Sequence, residues 1–326
     1  MGAVAGNIYD QQAANRRNTI LVMFLFILFV GFLGLGFDVF VLGFGDGGFG
    51  IPFATIIALA VGAFSAVNGL EKGAESVLRS STAVPADPAD ERYRQLHNVV
   101  EEIAIAAGIP KPAVYIIPDA DPNAFATGKD PQHACIAVTE GLVERLNREE
   151  LQGVIAHEMG HIRNADIRLT TVVAALIGAV MLLSELGTRT MRWGGGGGGG
   201  KKSSSRSGGG GGGAILLVLW LVALVLAPFI SSLLAMSVSR QREFLADASG
   251  AELTRNPGAL ASALEKIDSA VEPTRAIKKG SAHLCIVNPL GGDINEKEGT
   301  FADLFATHPP IRKRILLLKA MAYQHA

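Results

Sequence analysis

The sequence has few cysteines and almost no net charge, and both features narrow the classes of protein that it can encode. The 326 residues include two cysteines, and the formal net charge is −1. A chain without an overall positive charge has no global field that attracts nucleic acid, so we expect no nucleic-acid partner. Cys135 and Cys285 lie in separate apolar runs without CxxC spacing. We expect buried thiols, with a disulfide as the open alternative.

Two short motifs, one for phosphate binding and one for lipid attachment, are also missing. No GxxxxGK[ST] pattern lies between a strand and a helix, so the glycine-rich stretch 194–213 does not resemble a phosphate-binding loop. Its low complexity predicts a flexible linker. The first residues, MGAVAG, lack the Ser or Thr of a myristoylation signal. The first apolar run is long and is soon followed by a second, which is typical of a membrane anchor rather than of a cleaved signal peptide.

Long apolar runs are abundant. A run of about 20 residues spans the hydrocarbon core of a bilayer at ~1.5 Å per residue of helix. We predict about four transmembrane helices in two hairpins, with a buried soluble helix pair as the alternative for the last two. The four apolar segments are residues 20–37, 51–70, 169–186 and 214–236.

The remaining sequence is typical of soluble protein and predicts one domain in two parts. Arg16 and Arg17 precede the first apolar run and favour a cytoplasmic N-terminus in a multi-pass protein of the cell membrane. The basic linker would then lie outside, against the positive-inside rule. The predicted order is an N-terminal tail (1–17), a transmembrane hairpin (18–70), the first soluble part (71–168), a second hairpin (169–236) and the second soluble part (237–326).

The soluble parts predict an α+β fold that is mainly helical with a small sheet. Apolar residues recur at helical spacing over 87–107, and Gly108 follows. The runs 113–117 and 134–138 are typical of short strands. Prolines open two further predicted helices, at Pro257 and at Pro309–Pro310.

The motif HEMGH predicts a metal site on a helix of about residues 148–164, which Asn147 and Glu150 would open as a capping box. His157 and His161 are four residues apart and share one helix face, as two ligands of a tetrahedral zinc site do. Glu158 could take a proton from the attacking water and pass it to the leaving amine. HExxH arises by chance in roughly one in a hundred such sequences. A structural metal is the other alternative, and it would leave Glu158 without a task.

A catalytic zinc needs a third protein ligand. Ile167 stands where HExxHxxGxxH requires a histidine, which excludes the metzincin pattern. A distant glutamate is the other common solution. Glu243 and Asp247 are four apart and would share a helix face, so Glu243 is the candidate ligand and Asp247 the candidate partner of a ligand histidine. A solvated face with surface ion pairs is the alternative.

At this point the sequence resembles the HtpX group of membrane zinc metalloproteases, relatives of the type I CAAX prenyl protease. The resemblance implies a zincin-type catalytic domain with one Zn²⁺ per chain, held by His157, His161 and Glu243, with Glu158 as the catalytic base. It is carried by NAFATG (123–128), AHEMGHIRNAD (156–166), SRQREFLAD (239–247) and THPPIRKRI (307–315).

The same resemblance implies roles for two further stretches. Asn123, Ala124 and Phe125 would form an edge strand that binds an extended substrate, with a plain turn as the alternative. His308 would stabilise the oxyanion or approach the metal, with helix capping as the alternative. Arg314 matches a family arginine, with a helix-surface position as the alternative. Four histidines without a partner at ligand spacing are expected to be structural or exposed: His97, His133, His283 and His325.

The predicted function is a membrane-bound zinc endopeptidase whose substrates are misfolded or damaged membrane proteins. The peptide-bond chemistry follows from HEMGH, whereas the substrate class is implied by the resemblance. A non-catalytic, zinc-bound membrane scaffold or holdase stays open as the alternative. A prenyl protease is a weaker variant, and a metal transporter is disfavoured because the predicted spans lack paired internal His or acidic residues.

Overall fold

The computed structural model describes residues 8–40, 50–179, 240–270, 276–277, 282–287 and 309–324. Contacts divide the chain into two compact units. One unit comprises residues 1–20, 68–175 and 234–326, and the other comprises 21–67 and 176–233. The glycine-rich linker and the predicted fourth apolar segment lie outside the described residues.

Two of the described helices are long and apolar enough to cross a membrane. They are Ile8–Phe40 and Phe53–Ser80, so each extends beyond the apolar segment that predicted it. The N-terminal stretch predicted as a tail is helical from Ile8, and its polar residues form the start of the first helix. Of the third predicted segment, residues 169–179 belong to a helix that starts at 166, and the rest lies outside the described residues.

The apolar hairpin is held at its turn by Asp38. This residue ends the first apolar run of the sequence but not the helix. Its carboxylate accepts hydrogen bonds from the backbone N–H of Ala54 (2.9 Å) and Thr55 (2.7 Å), and from the Thr55 hydroxyl (2.6 Å). Asp38 therefore caps the start of the second helix, whose first N–H groups have no partner within that helix.

The larger unit contains a four-stranded mixed sheet in the order β1-β2-β4-β3. The β2–β4 pair is parallel and the two outer pairs are antiparallel, so β3 is an edge strand of this described sheet. The two predicted strands are present, the second one shifted by one residue. The strands are β1 (Val84–Pro85), β2 (Ala113–Ile117), β3 (Ala124–Thr127) and β4 (Cys135–Thr139).

Helices make up most of this unit, as the sequence predicts, and their ends follow local capping chemistry. The first predicted helix begins at Glu91, because the Asp90 side chain accepts a hydrogen bond from the N–H of Arg92. Gly108 ends it in the left-handed conformation (φ 67°) that glycine adopts without strain. The helices are Glu91–Ala107, Glu140–Arg145, Arg148–Arg163, 166–179, Arg240–Thr254, Pro257–Asp268 and Ile311–Gln324.

The helix Arg148–Arg163 carries HEMGH and is called the HEMGH helix below. The predicted capping box is confirmed, since Asn147 and Glu150 each accept a hydrogen bond from the other's backbone N–H. The middle of the helix is almost fully buried in the main hydrophobic core, between the sheet and the later helices. His157 belongs to this buried stretch, whereas His161, nearer the end of the helix, is partly exposed.

The helix Arg240–Thr254, called the Glu243 helix below, packs closely against the HEMGH helix. Glycines allow this approach. A Cβ added at Gly250 would lie 3.1 Å from the backbone nitrogen of His157, and one added at Gly160 would lie 3.1 Å from Cβ of Ser249. The short distance between the two backbones brings Glu243 within reach of the histidines.

Candidate metal centre

Three side chains from two helices converge on one point. His157 and His161 come from the HEMGH helix and Glu243 comes from the Glu243 helix, with one potential ligand atom from each lying within 4.8 Å of the others. Glu243 Oε2 lies 3.8 Å from His157 Nε2, and Glu243 Oε1 lies 3.6 Å from His161 Nε2. Tetrahedral bonds of about 2.1 Å place neighbouring ligand atoms about 3.4 Å apart. The two spacings from Glu243 are therefore close to those of a tetrahedral metal site.

The chemistry of these side chains also fits a metal ion. His157 is completely buried, and its Nε2 makes no hydrogen bond to any part of the chain that the structure describes. A buried polar atom without a partner is costly, and a bound cation would provide one. Two imidazole nitrogens and one carboxylate form a donor set that zinc accepts in catalytic sites. The residues that meet here can thus hold a metal ion.

Each histidine is oriented by a carboxylate at its other ring nitrogen. His157 Nδ1 lies 3.0 Å from Oδ1 of Asp247, and His161 Nδ1 lies 3.2 Å from Oδ2 of Asp166. A carboxylate at Nδ1 favours the tautomer whose Nε2 lone pair can bind a metal. The sequence proposed Asp247 for this position but did not single out Asp166.

The contact of Asp166 depends on a turn that helical spacing does not predict. Five residues of continuous helix would rotate Asp166 far from the face of His161. Instead the HEMGH helix ends at Arg163, and Ala165 adopts a left-handed conformation with φ 58°. This turn interrupts the helix and brings Oδ2 of Asp166 to within 3.2 Å of Nδ1 of His161.

Arg314 is buried beside the candidate metal ligands, so the surface alternative for this residue is wrong. Only 1% of it is exposed. Its guanidinium donates two hydrogen bonds to Asp247, of 2.8 and 2.7 Å, and one of 2.7 Å to the carbonyl of Ile286. Its Nη1 also lies 3.5 Å from Glu243 Oε2. The fork geometry fixes Asp247, which in turn contacts His157.

The pKa values at the centre follow from burial and from these pairs. Burial alone would raise the pKa of Asp247, but the charge and hydrogen bonds of Arg314 outweigh it and lower the pKa to about 2. Burial raises the pKa of Glu158 to about 7, and Glu243 adds to this effect while His161 opposes it. A carboxyl group that titrates near neutrality is suited to exchange protons with a reacting group.

Glu158 shares a small cavity with two of the candidate ligands, His161 and Glu243. Two residues in its wall, His283 and Arg242, were not expected there. His283, expected to be structural or exposed, is buried, and its Nε2 lies 3.2 Å from the carbonyl oxygen of Thr170. No spacing in the sequence relates it to HEMGH. The cavity wall includes Ala126, Glu158, His161, Arg242, Glu243 and His283.

The strand β3 runs beside this cavity. Ala124 and Phe125 lie in the strand and Asn123 precedes it, so the turn alternative does not apply to Ala124 and Phe125. The Asn123 side chain donates a 3.1 Å hydrogen bond to the carbonyl of Val287. His308 lies outside the described residues, and its role stays a prediction.

Two helical histidines, a glutamate between them and a glutamate from a separate helix define the class of metallopeptidases with an HExxH motif. The model of peptidase family M48 matches residues 90–322, and the chain belongs to this family. Relatives that are 46% and 41% identical over 96% of this chain confirm the predicted resemblance to the HtpX group, and the protein is a membrane metalloprotease.

Relatives that carry the description "Protease HtpX homolog" match almost the whole chain. That of Caldanaerobacter subterraneus subsp. tengcongensis is 46% identical over 314 residues, which are 96% of this chain and 98% of the relative. That of Ligilactobacillus salivarius is 41% identical over 96% of this chain and 100% of its own length. The crystal structure of S. mikatae Ste24p aligns with 95% of this chain and 66% of that chain, with a TM-score of 0.47 and 17% identity.

Proposed function

We propose that this protein is a zinc-dependent endopeptidase of the cell membrane that cleaves misfolded or damaged membrane proteins. The observation that carries the peptidase chemistry is the convergence of His157, His161 and Glu243 beside the buried Glu158. The two apolar helices would attach the chain to a membrane, which favours membrane proteins as substrates. One zinc ion per chain would be held by the two histidines and Glu243.

Glu158 is the proposed catalytic base and acid. Zinc in this site would supply a Lewis acid that polarises the substrate carbonyl and makes water more acidic. Glu158 takes the proton of the attacking water and then donates it to the nitrogen of the leaving amine. Burial brings the pKa of Glu158 to about 7 in the metal-free protein, and a zinc ion bound nearby would lower this pKa and favour the carboxylate that accepts a proton. Asp247 and Asp166 hold the two histidines throughout.

The edge strand β3 is the proposed substrate-binding strand. The N–H of Ile286 donates a 3.0 Å hydrogen bond to the carbonyl of Ala124, which therefore points away from β4. Backbone groups of alternate residues point the same way in an antiparallel pair, so the amide and carbonyl of Ala126 also face outward. Ala126 lines the cavity that contains Glu158. An extended peptide that paired with β3 at Ala126 would place its backbone beside the base.

We expect Glu243→Ala to lose its zinc. The carboxylate is the only proposed ligand outside the HEMGH helix, and without it two histidines remain, which is one ligand fewer than catalytic zinc sites use. The measurement is metal analysis of detergent-purified protein after dialysis. Glu252→Ala on the same helix is the matched control, since Glu252 is exposed and should leave the zinc content unchanged. A full zinc content in Glu243→Ala would mean that another residue is the third ligand, with His308 as the next candidate.

The proposed topology has two transmembrane hairpins, at 18–70 and 169–236, and a cytoplasmic catalytic domain. We expect residues 71–168 to be protected from added protease in right-side-out membrane vesicles and digested in inside-out vesicles. Arg16 and Arg17 before the first apolar run are the physical reason, because basic residues favour the cytoplasmic side. Digestion in the right-side-out vesicles would instead place residues 71–168 on the outer side of the membrane.

A further inference from the structure

The start of the N-terminal helix contacts the turn that follows the HEMGH helix. Gln12 Nε2 donates a 2.8 Å hydrogen bond to the carbonyl of Arg163. Asn15 Nδ2 donates two hydrogen bonds, one of 3.1 Å to the carbonyl of Asn164 and one of 2.7 Å to Oδ1 of Asp166. All of these residues belong to the larger compact unit.

These contacts connect Asn15 to a candidate metal ligand through a single carboxylate. Oδ1 of Asp166 accepts from Asn15, and Oδ2 of Asp166 lies 3.2 Å from Nδ1 of His161. Asn15 is 6% exposed and Asp166 is 2% exposed, so water does not compete for these hydrogen bonds. The two oxygens of Asp166 therefore contact different partners, Asn15 on one side and His161 on the other.

We propose that Asn15 is a positioning residue of the metal centre, which fixes the Asp166 carboxylate and thereby the imidazole of His161. This inference rests on the proposed metal site. Asp166 follows a left-handed turn at Ala165, so the HEMGH helix does not by itself determine where its carboxylate points. Among the described residues Arg242 also lies near this carboxylate, but its Nε is 3.9 Å from Oδ1, which is too far for a strong hydrogen bond.

The chemistry of an amide matches this position. A primary amide has two N–H donors on one nitrogen, and Asn15 directs one to a backbone carbonyl and the other to a carboxylate. A hydroxyl would satisfy only one of these acceptors, and a carboxylate would satisfy neither. The helix that carries Asn15 continues into the first apolar run, so the metal centre depends on a residue of a membrane-anchor helix.

The test compares zinc retention in full-length protein in detergent. We expect Asn15→Leu to lower the affinity for zinc by about 10–100-fold, which is the usual effect of losing a group that orients a metal ligand. It is measured by competition with a chromogenic chelator. The absorption spectrum of the cobalt-substituted protein should change as well, because it reports the ligand geometry. Gln12→Leu is the matched control, since Gln12 docks the same helix but does not contact Asp166.

A residue swap separates positioning from general stability. Asn15→Asp places two carboxylates together and should weaken zinc binding. Adding Asp166→Asn to that variant restores a donor and an acceptor between the two positions, and the Asn oxygen can still accept from His161. We expect the double variant to hold zinc more tightly than Asn15→Asp alone, because residues in contact are not additive.

Three outcomes would overturn the inference. They are a wild-type affinity and cobalt spectrum in Asn15→Leu, an equal loss in Gln12→Leu, and a double variant no better than Asn15→Asp. His161→Ala distinguishes this failure from failure of the proposed function. If His161→Ala keeps its zinc, the proposed metal site itself is wrong. If His161→Ala loses its zinc but Asn15→Leu keeps it, only the proposed role of Asn15 is wrong.

Discussion

Glu158→Gln is expected to lower the rate of casein cleavage by at least about 10²–10⁴-fold, the usual contribution of general acid–base catalysis, while the zinc content stays at one per chain. Glutamine keeps the size of the side chain but cannot take up the proton of the attacking water. Zinc should remain because His157, His161 and Glu243 are unchanged. The measurement is cleavage by detergent-purified protein together with metal analysis of the same samples.

Two further results decide how this experiment is interpreted. Glu149→Gln, an exposed neighbour on the same helix, serves as the control and should cleave at the wild-type rate. Retained cleavage in Glu158→Gln would contradict the assignment of the base. A wild-type protein that binds zinc but cleaves nothing would instead favour the scaffold or holdase alternative.

Arg314→Met is expected to destabilise the metal-free protein at neutral pH by about 3–5 kcal/mol, the typical cost of removing one partner from a buried ion pair. Asp247 would be left as a buried carboxylate without its two guanidinium hydrogen bonds. The measurement is chemical unfolding in mild detergent after removal of metal, so that metal loss does not add to the effect. Arg312→Met, at an exposed position of the same helix, is the control.

The pH dependence of this loss has a definite sign. In the wild type the pKa of Asp247 is about 2, below the ordinary aspartate value of 3.8, so the ion pair stabilises the fold above about pH 4 and this stabilisation is lost between about pH 4 and 2. Without Arg314, burial would raise the pKa of Asp247 above that value. The Arg314→Met variant should therefore be closest to the wild type in acid, and an equal deficit at all pH values would contradict the ion-pair explanation.

A second substitution in the same chain separates charge from packing. Asp247→Asn combined with Arg314→Met removes both charges and should recover part of the stability lost in Arg314→Met alone. If the double variant is no more stable than the single one, the loss comes from the volume of the arginine side chain rather than from an unpaired carboxylate.

Features encoded over short distances were predictable from the sequence. The capping box at Asn147 and Glu150, the strand Ala113–Ile117 and the left-handed glycine at 108 all lie where local chemistry places them. Helical spacing put His157 and His161 on one face. Glu243 needed an additional argument, namely that an apolar hairpin returns the chain to the side from which it left.

Features that depend on contacts between distant segments were not predictable. Arg314 lies in a sequence that is equally consistent with an exposed helix face, and only packing buries it against Asp247. His283 has no spacing relation to HEMGH, yet it lines the same cavity. Asn15 lies in a stretch predicted as a tail, because no local signal relates it to a residue 151 positions later.

The sequence by itself thus determined the chemical character of this protein: an HExxH helix, long apolar runs and a glutamate suited to complete the candidate metal site. These signals are local, since periodicity, capping and hydropathy act over a few turns of helix. Only the tertiary structure decided which groups orient the ligands. The partners of His157 and His161 are chosen by the approach of two helices at Gly160 and Gly250 and by the turn at Ala165. Those distances depend on how the whole domain packs.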